Sequence, residues 1–137
     1  MDPLVVGVVH WLHVFLGIFW FGTILYTRIV LFPSLATLPP DTYAAARKAM
    51  VSGNAARWTQ IFSYGTVALG IIRGAMTGVF AELTTVYGIT YLAALALGVF
   101  MILLLYSPWF RPPIWRKVYV GCFPVMFTLM VLMRFGL

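Results

Sequence analysis

The sequence predicts an all-α integral membrane protein: a four-transmembrane-helix bundle with a short amphipathic helix between helices one and two. Three observations predict it. Of the 137 residues, 63% are hydrophobic and 9% charged, against about 45–50% and about 25% in a soluble domain. Mean hydropathy is +1.00. The apolar residues gather into runs of roughly 20, the length that crosses a hydrocarbon core, and the prolines and charges fall between them. No repeat, low-complexity tract or second domain is visible, so residues 1–137 read as a single membrane domain.

The first helix is expected over about Leu4 to Leu31. Asp2 is an N-cap type of residue and Pro3 suits the first turn, while Pro33 limits the helix by disfavouring helical backbone before it. Leu38-Pro39-Pro40-Asp41 closes one element and opens another. Thr42 to Ser52, alanine-rich with Arg47 and Lys48 adjacent, reads as an interfacial helix. A break at Gly53-Asn54 leads into helix two, about Ala55 to Met76. A short polar turn with Gly78 and Glu82 precedes helix three, about Thr85 to Tyr106. The proline-studded segment Ser107 to Pro113 then leads through Trp115-Arg116-Lys117 into helix four, about Val118 to Phe135, where Pro124 predicts a kink.

Nine Lys and Arg against three acids give a formal charge of +6. They are scattered at loops and helix ends, which points to membrane orientation and away from nucleic acid. Arg28, Arg47, Lys48, Arg57, Arg111, Arg116 and Lys117 fall on one side, and Arg73 and Arg134 on the other with Asp2 and Glu82. The positive-inside rule then puts both termini outside the cytoplasm, in a membrane of the bacterial inner-membrane kind. Trp58, Trp109 and Trp115 suit the cytoplasmic aromatic belt. The single cysteine, Cys122, excludes an internal disulfide, and no CxxC or CxxCH motif offers a structural metal or covalent haem. The first apolar run lacks the basic leader and small-residue cleavage site of a secretory signal.

Both histidines lie in His10–Tyr26, inside the first apolar run. A ligand-capable group at that depth is costly and is a functional-site hypothesis by default. His10 and His13 stand about 60° apart around a helix, and Trp20, seven residues after His13, returns to nearly the same meridian. Arg73 and Arg134 are expected near the outer ends of helices two and four. An imidazole between helices with guanidinium groups above it suits haem b, the arginines pairing with its propionates. Gly17, Gly22, Gly65, Gly70, Ala93, Ala94 and Gly98 permit close helix approach or leave room for a planar ring.

His10 and His13 project from one face of one helix and cannot be trans ligands of one iron. A second ligand would come from Met126, Met130 or Met133, from Tyr87 or Tyr91, or from a second subunit; otherwise the iron is five-coordinate. The same residues admit copper, with His13, His10 and Met130 as ligands and Cys122 near the methionine stripe. Methionines at helical spacing also serve as core filler, and the arginines and histidines can instead snorkel or bond across helices. No carboxylate lies deep in any span, which argues against a carrier built on Asp or Glu. No nucleophile triad, phosphate loop or nucleotide fingerprint is present.

Leu12-His13, Trp20, Gly22 and Leu25-Tyr26 resemble the first helix of a superfamily of small haem- and copper-associated membrane proteins. The four-helix HemJ-type protoporphyrinogen oxidases are the most similar over these residues. The CopD-type copper-resistance domain and the membrane part of bacterial urate oxidase share the flavour of Trp11-Leu12-His13-Val14, Gly17-Ile18, Trp20 and Gly22. Arg57-Trp58 to Gly74 is similar to their second helix. Phe32-Pro33 followed by Leu38-Pro39-Pro40 also resembles a family of uncharacterised four-helix proteins. The resemblance spans about half the chain and implies that His13 matches the family's haem-ligand histidine. The chain lacks the Asn-Glu pair and the charged third helix of the HemJ type, so protoporphyrinogen oxidation is not implied with it. Three functions are therefore in play: a haem b redox protein, with membrane oxidoreduction its possible activity; a copper transporter or resistance protein; or an accessory subunit of a larger complex. The lipid bilayer is the expected partner, with a homodimer or a larger assembly open.

Overall fold

A computed structural model describes residues 2–110 and 112–137; Arg111 of the basic set lies outside the described residues. Among the described residues all regular structure is helical. The first long helix, α1, runs Pro3–Leu35. The Asp2 carboxylate accepts from the Leu4 N–H at 2.9 Å and Pro3 follows it, as the sequence predicts.

The expected stop before Pro33 is overturned. Tyr26–Leu31 is π-helical, and Phe32–Leu35 resumes as α-helix. The Phe32 N–H bonds the Thr27 carbonyl, five residues back. Pro33 therefore falls at the start of a renewed segment, where a missing N–H is tolerated. The Ser34 hydroxyl donates to the Val30 carbonyl at 2.8 Å.

The short helix α2 spans Pro40–Val51, and α3 spans Gly53–Thr77. Between them Ser52 is extended and Gly53 takes φ +61°. Gly78, at φ +77°, closes α3 in the left-handed conformation that a side chain would resist. After a turn of 3₁₀-helix at Val79–Ala81 comes α4, Val86–Tyr106, capped by Thr85, whose hydroxyl accepts from the Gly88 N–H at 3.0 Å. The last helix, α5, covers Pro113–Arg134. Its start precedes the expected Val118 because Pro113 stands in the first turn, where proline's fixed φ suits a helix. Pro124 lies inside it.

Among the described residues three helices, α1, α4 and α5, are long and apolar enough to cross a membrane. With 25 residues, α3 extends about 37 Å, but it is the more polar helix. Its hydroxyls turn back on its own backbone: Thr59 donates to Ala55, Ser63 to Thr59, Thr66 to Phe62 and Thr77 to Arg73. That bonding removes the cost of an unpaired hydroxyl in an apolar setting. Leu4, Trp11, Ile18, Ile29, Val86 and Ile89 are each more than half exposed. An exterior with so many exposed large apolar side chains suits contact with lipid.

The packing is in two pairs. Helix α1 lies mainly on α3 and α4 mainly on α5, whereas α3–α4 and α1–α5 meet along narrower lines. Leu16 of α1 occupies the space over Gly65, and the Tyr91 ring of α4 occupies that over Gly74. Small residues thus set the close approaches. The buried cluster of Trp20, Met101, Leu104, Tyr119, Cys122 and Phe123 ties the pairs together.

Candidate cofactor cavity

A partly open cavity of about 520 Å³ lies between the two helix pairs. Each of the four long helices contributes one stripe at helical spacing. From α1 come His13, Gly17 and Trp20, and from α3 Thr66, Gly70 and Arg73. Tyr91, Ala94, Gly98 and Met101 line it from α4, and Phe123, Met126, Met130 and Met133 from α5. Glycine and alanine on three of these stripes supply the space, and aliphatic, aromatic and thioether groups supply the walls.

His13 is positioned from two sides. Its Nδ1 lies 2.7 Å from the Thr66 carbonyl oxygen, which only an N–H can satisfy, so Nδ1 carries a proton and donates. Gly70, one turn further along α3, lets the ring lie flat on that helix; a Cβ there would stand 3.1 Å from the imidazole Cε1. Nε2 takes no hydrogen bond among the described residues. A ring held by Nδ1–H to a backbone carbonyl, with Nε2 free, is the usual posture of a metal-ligating histidine.

Arg73 is the second polar feature. It lies two turns along α3 from Thr66, on the same face, and its buried Nε has no hydrogen-bond partner. An orphaned guanidinium N–H in an apolar wall is expensive. His10 and Arg134 sit off the cavity and exposed, although the charges nearest His10 are Arg73, His13 and Arg134. These four residues therefore converge at one end of the bundle, with His13 and Arg73 inward.

Trp20 is buried, and its indole Nε1–H donates to the Tyr119 hydroxyl at 2.7 Å. Tyr91 donates to the Gly70 carbonyl at 3.2 Å, and Tyr87 does not line the cavity. Met130 reaches the wall together with Met126 and Met133, while Cys122 is buried in the packing cluster and away from it. Among the described residues no group of three His, Cys, Asp or Glu side chains is gathered for a metal. Sequence reasoning missed Thr66, Met101 and Tyr119. A hydroxyl residue's backbone carbonyl leaves no signal, and the Tyr119 partner is 99 positions away.

The cavity is apolar and within the ~300–1,000 Å³ typical of small-molecule sites, and its lining carries one imidazole with a free nitrogen and one guanidinium whose Nε has no partner. Comparison with family models, curated proteins and solved structures finds no match to this chain. Fold and cavity define a class: a helical protein with membrane-length apolar segments built around an imidazole-bearing apolar cavity.

Proposed function

We propose that the protein is an integral membrane haem b protein working in electron transfer or membrane oxidoreduction. One observation carries the reading. His13 is tied by Nδ1 to the Thr66 carbonyl, its Nε2 takes no hydrogen bond among the described residues, and it lines one apolar cavity with Arg73, whose buried Nε has no partner. His13 would ligate the iron, and Arg73 would pair with a propionate. Arg134 and His10, at the same end, would meet the second propionate at the rim, and Trp20 would wall the pocket. Bound haem would supply one-electron chemistry. The chain's own part is to hold the ligand tautomer, exclude water and neutralise the propionates. The resemblance of Leu12-His13 and Trp20 to the superfamily's first helix supports the same assignment.

On this reading α3 is a fourth span, its hydroxyls silenced by bonds to its own carbonyls, and both termini lie outside the cytoplasm by the positive-inside rule. A reduced-minus-oxidised spectrum of protein expressed with ample haem tests the proposal. Wild type and His10→Ala should show Soret and α bands, and His13→Ala should lose them. Absence of a Soret band in the wild type ends the haem reading.

A second reading has its own observation: the thioethers of Met101, Met126, Met130 and Met133 share the cavity with His13. Cu(I) accepts that donor set. Metal analysis of wild type and Met130→Leu separates the two. Stoichiometric copper that falls in the variant favours a copper carrier; unchanged copper handling disposes of it.

A further inference from the structure

A second recess, of about 320 Å³, opens at the end of the bundle opposite Arg73 and Arg134, where α1 leaves and the α4–α5 connection turns. Arg28, Ser107, Trp115, Arg116 and Tyr119 line it, with Leu104, Leu105 and Phe110 at its apolar side. We infer that this recess is a binding site for a phosphate group, presented either by an anionic phospholipid or by a soluble phosphate compound.

The recess gathers positive charge. Among the described residues, Arg116 and Arg47 are cations close to Arg28. Arg28 and Arg47 both lie against the Phe32 ring, at 5.4 and 5.9 Å from its centroid, a contact that helps a cation without neutralising it. Among the described residues no carboxylate lines the recess. The chain has three acids, and Asp41, the one at this end, is exposed on α2. Crowding like charges without a counterion is unfavourable unless an anion is bound between them.

The neutral groups point the same way. The Tyr119 oxygen already accepts from Trp20, so its proton is free to donate outward. Ser107 Oγ accepts from the Trp109 N–H at 3.4 Å, leaving its proton free as well. Two guanidinium groups and two hydroxyls with free protons thus offer a set of donors, the complement of a phosphate, whose oxygens all accept. Arg28 reaches this place from the π-helical turn of α1. Such turns are rare, frequent at functional sites, and alter the angular register of the residues they carry. Basic recesses between membrane helices recognise anionic headgroups by the same chemistry.

The test uses detergent-purified, delipidated full-length protein. Its thermal midpoint is followed while phosphatidylglycerol, phosphatidylcholine or inorganic phosphate is added, with chloride matching ionic strength. Midpoints should rise with phosphatidylglycerol and not phosphatidylcholine if the phosphate is a lipid's, or with inorganic phosphate if it is soluble. Arg116→Gln should weaken that effect about tenfold or more, as expected for a lost charge-assisted contact. Its exposed neighbour Lys117, outside the recess, should be replaceable by Gln without effect. Arg116 is itself exposed, so its variant carries the test even if Arg28→Gln fails to fold. No rise with either probe, or equal losses in Arg116→Gln and Lys117→Gln, overturns the site.

Discussion

The hydrogen bond between Trp20 and Tyr119 joins α1 to α5, two helices that otherwise touch along a narrow line. Removing it should loosen the cavity wall by a measurable amount. Interhelical side-chain bonds in membranes average about 0.6 kcal/mol and reach about 1.7. This one should lie in the upper half of that range, because it is 2.7 Å long and its partners are 5% and 4% exposed. Tyr119→Phe strips the acceptor and leaves a buried indole N–H unpaired, at about 1–3 kcal/mol. Trp20→Phe removes the donor and some volume together, so its single-variant cost mixes two effects. The double-mutant cycle separates them, because the edge contacts of both rings with Phe123 can persist in the phenylalanine variants. Reversible unfolding in mixed micelles, followed by circular dichroism, should return a coupling of about 1 kcal/mol. A coupling under about 0.3 kcal/mol, the level at which independent sites simply add, would refute the claim that this bond holds the two helix pairs together.

Three further outcomes are expected. Arg73→Gln should lower haem retention about tenfold, on the scale of a lost charge-assisted bond, and more than Arg134→Gln, since Arg73 lines the cavity and Arg134 is exposed; competition with apomyoglobin measures both. Gly70→Val should displace the imidazole that now lies where its side chain must go, and so lose the haem spectrum while His13 remains in place; an unaltered spectrum would show that His13 is not the ligand. Gly78→Ala should destabilise the fold by about 1–2 kcal/mol, because φ is +77° there, with no change in the spectrum of protein that folds.

Much of the helical layout is visible in the sequence because an apolar run of membrane length leaves little else for the backbone to do. The α3–α4 turn, the Asp2 and Thr85 caps and the break near Gly53 each have a local chemical cause within a few residues. The errors lie at proline. Pro33 reads as a stop and Pro113 as part of the connecting loop, yet one sits behind a π-helical turn and the other in the first turn of α5. Proline excludes a donor but says nothing about whether a donor was needed. For the cavity, periodicity correctly groups His13 with Trp20, and the α5 methionines with one another. It does not say how wide the enclosed arc is. His10, about 60° from His13 and one turn nearer the helix end, falls outside. Tyr119 and Thr66 belong to the site through partners 99 and 53 residues away, a relation that no local pattern encodes.

How the buried polar groups are satisfied gives the cavity its meaning. In an apolar medium each unpaired donor or acceptor carries a cost, so a membrane bundle tends to pair them all. This chain largely does so. The α3 hydroxyls bond to its own carbonyls, Thr90 bonds Val86, Tyr91 bonds Gly70, and Trp20 bonds Tyr119. The exceptions at this site, the Arg73 Nε and the His13 Nε2, belong to residues that line the same cavity from neighbouring helices. If packing alone accounted for them, such leftovers would be scattered, and each would sit where a small rotation could reach a carbonyl. A base with a free nitrogen and a cation with an unpaired N–H, on residues that line one apolar space, are instead what the proposed haem would require of the chain.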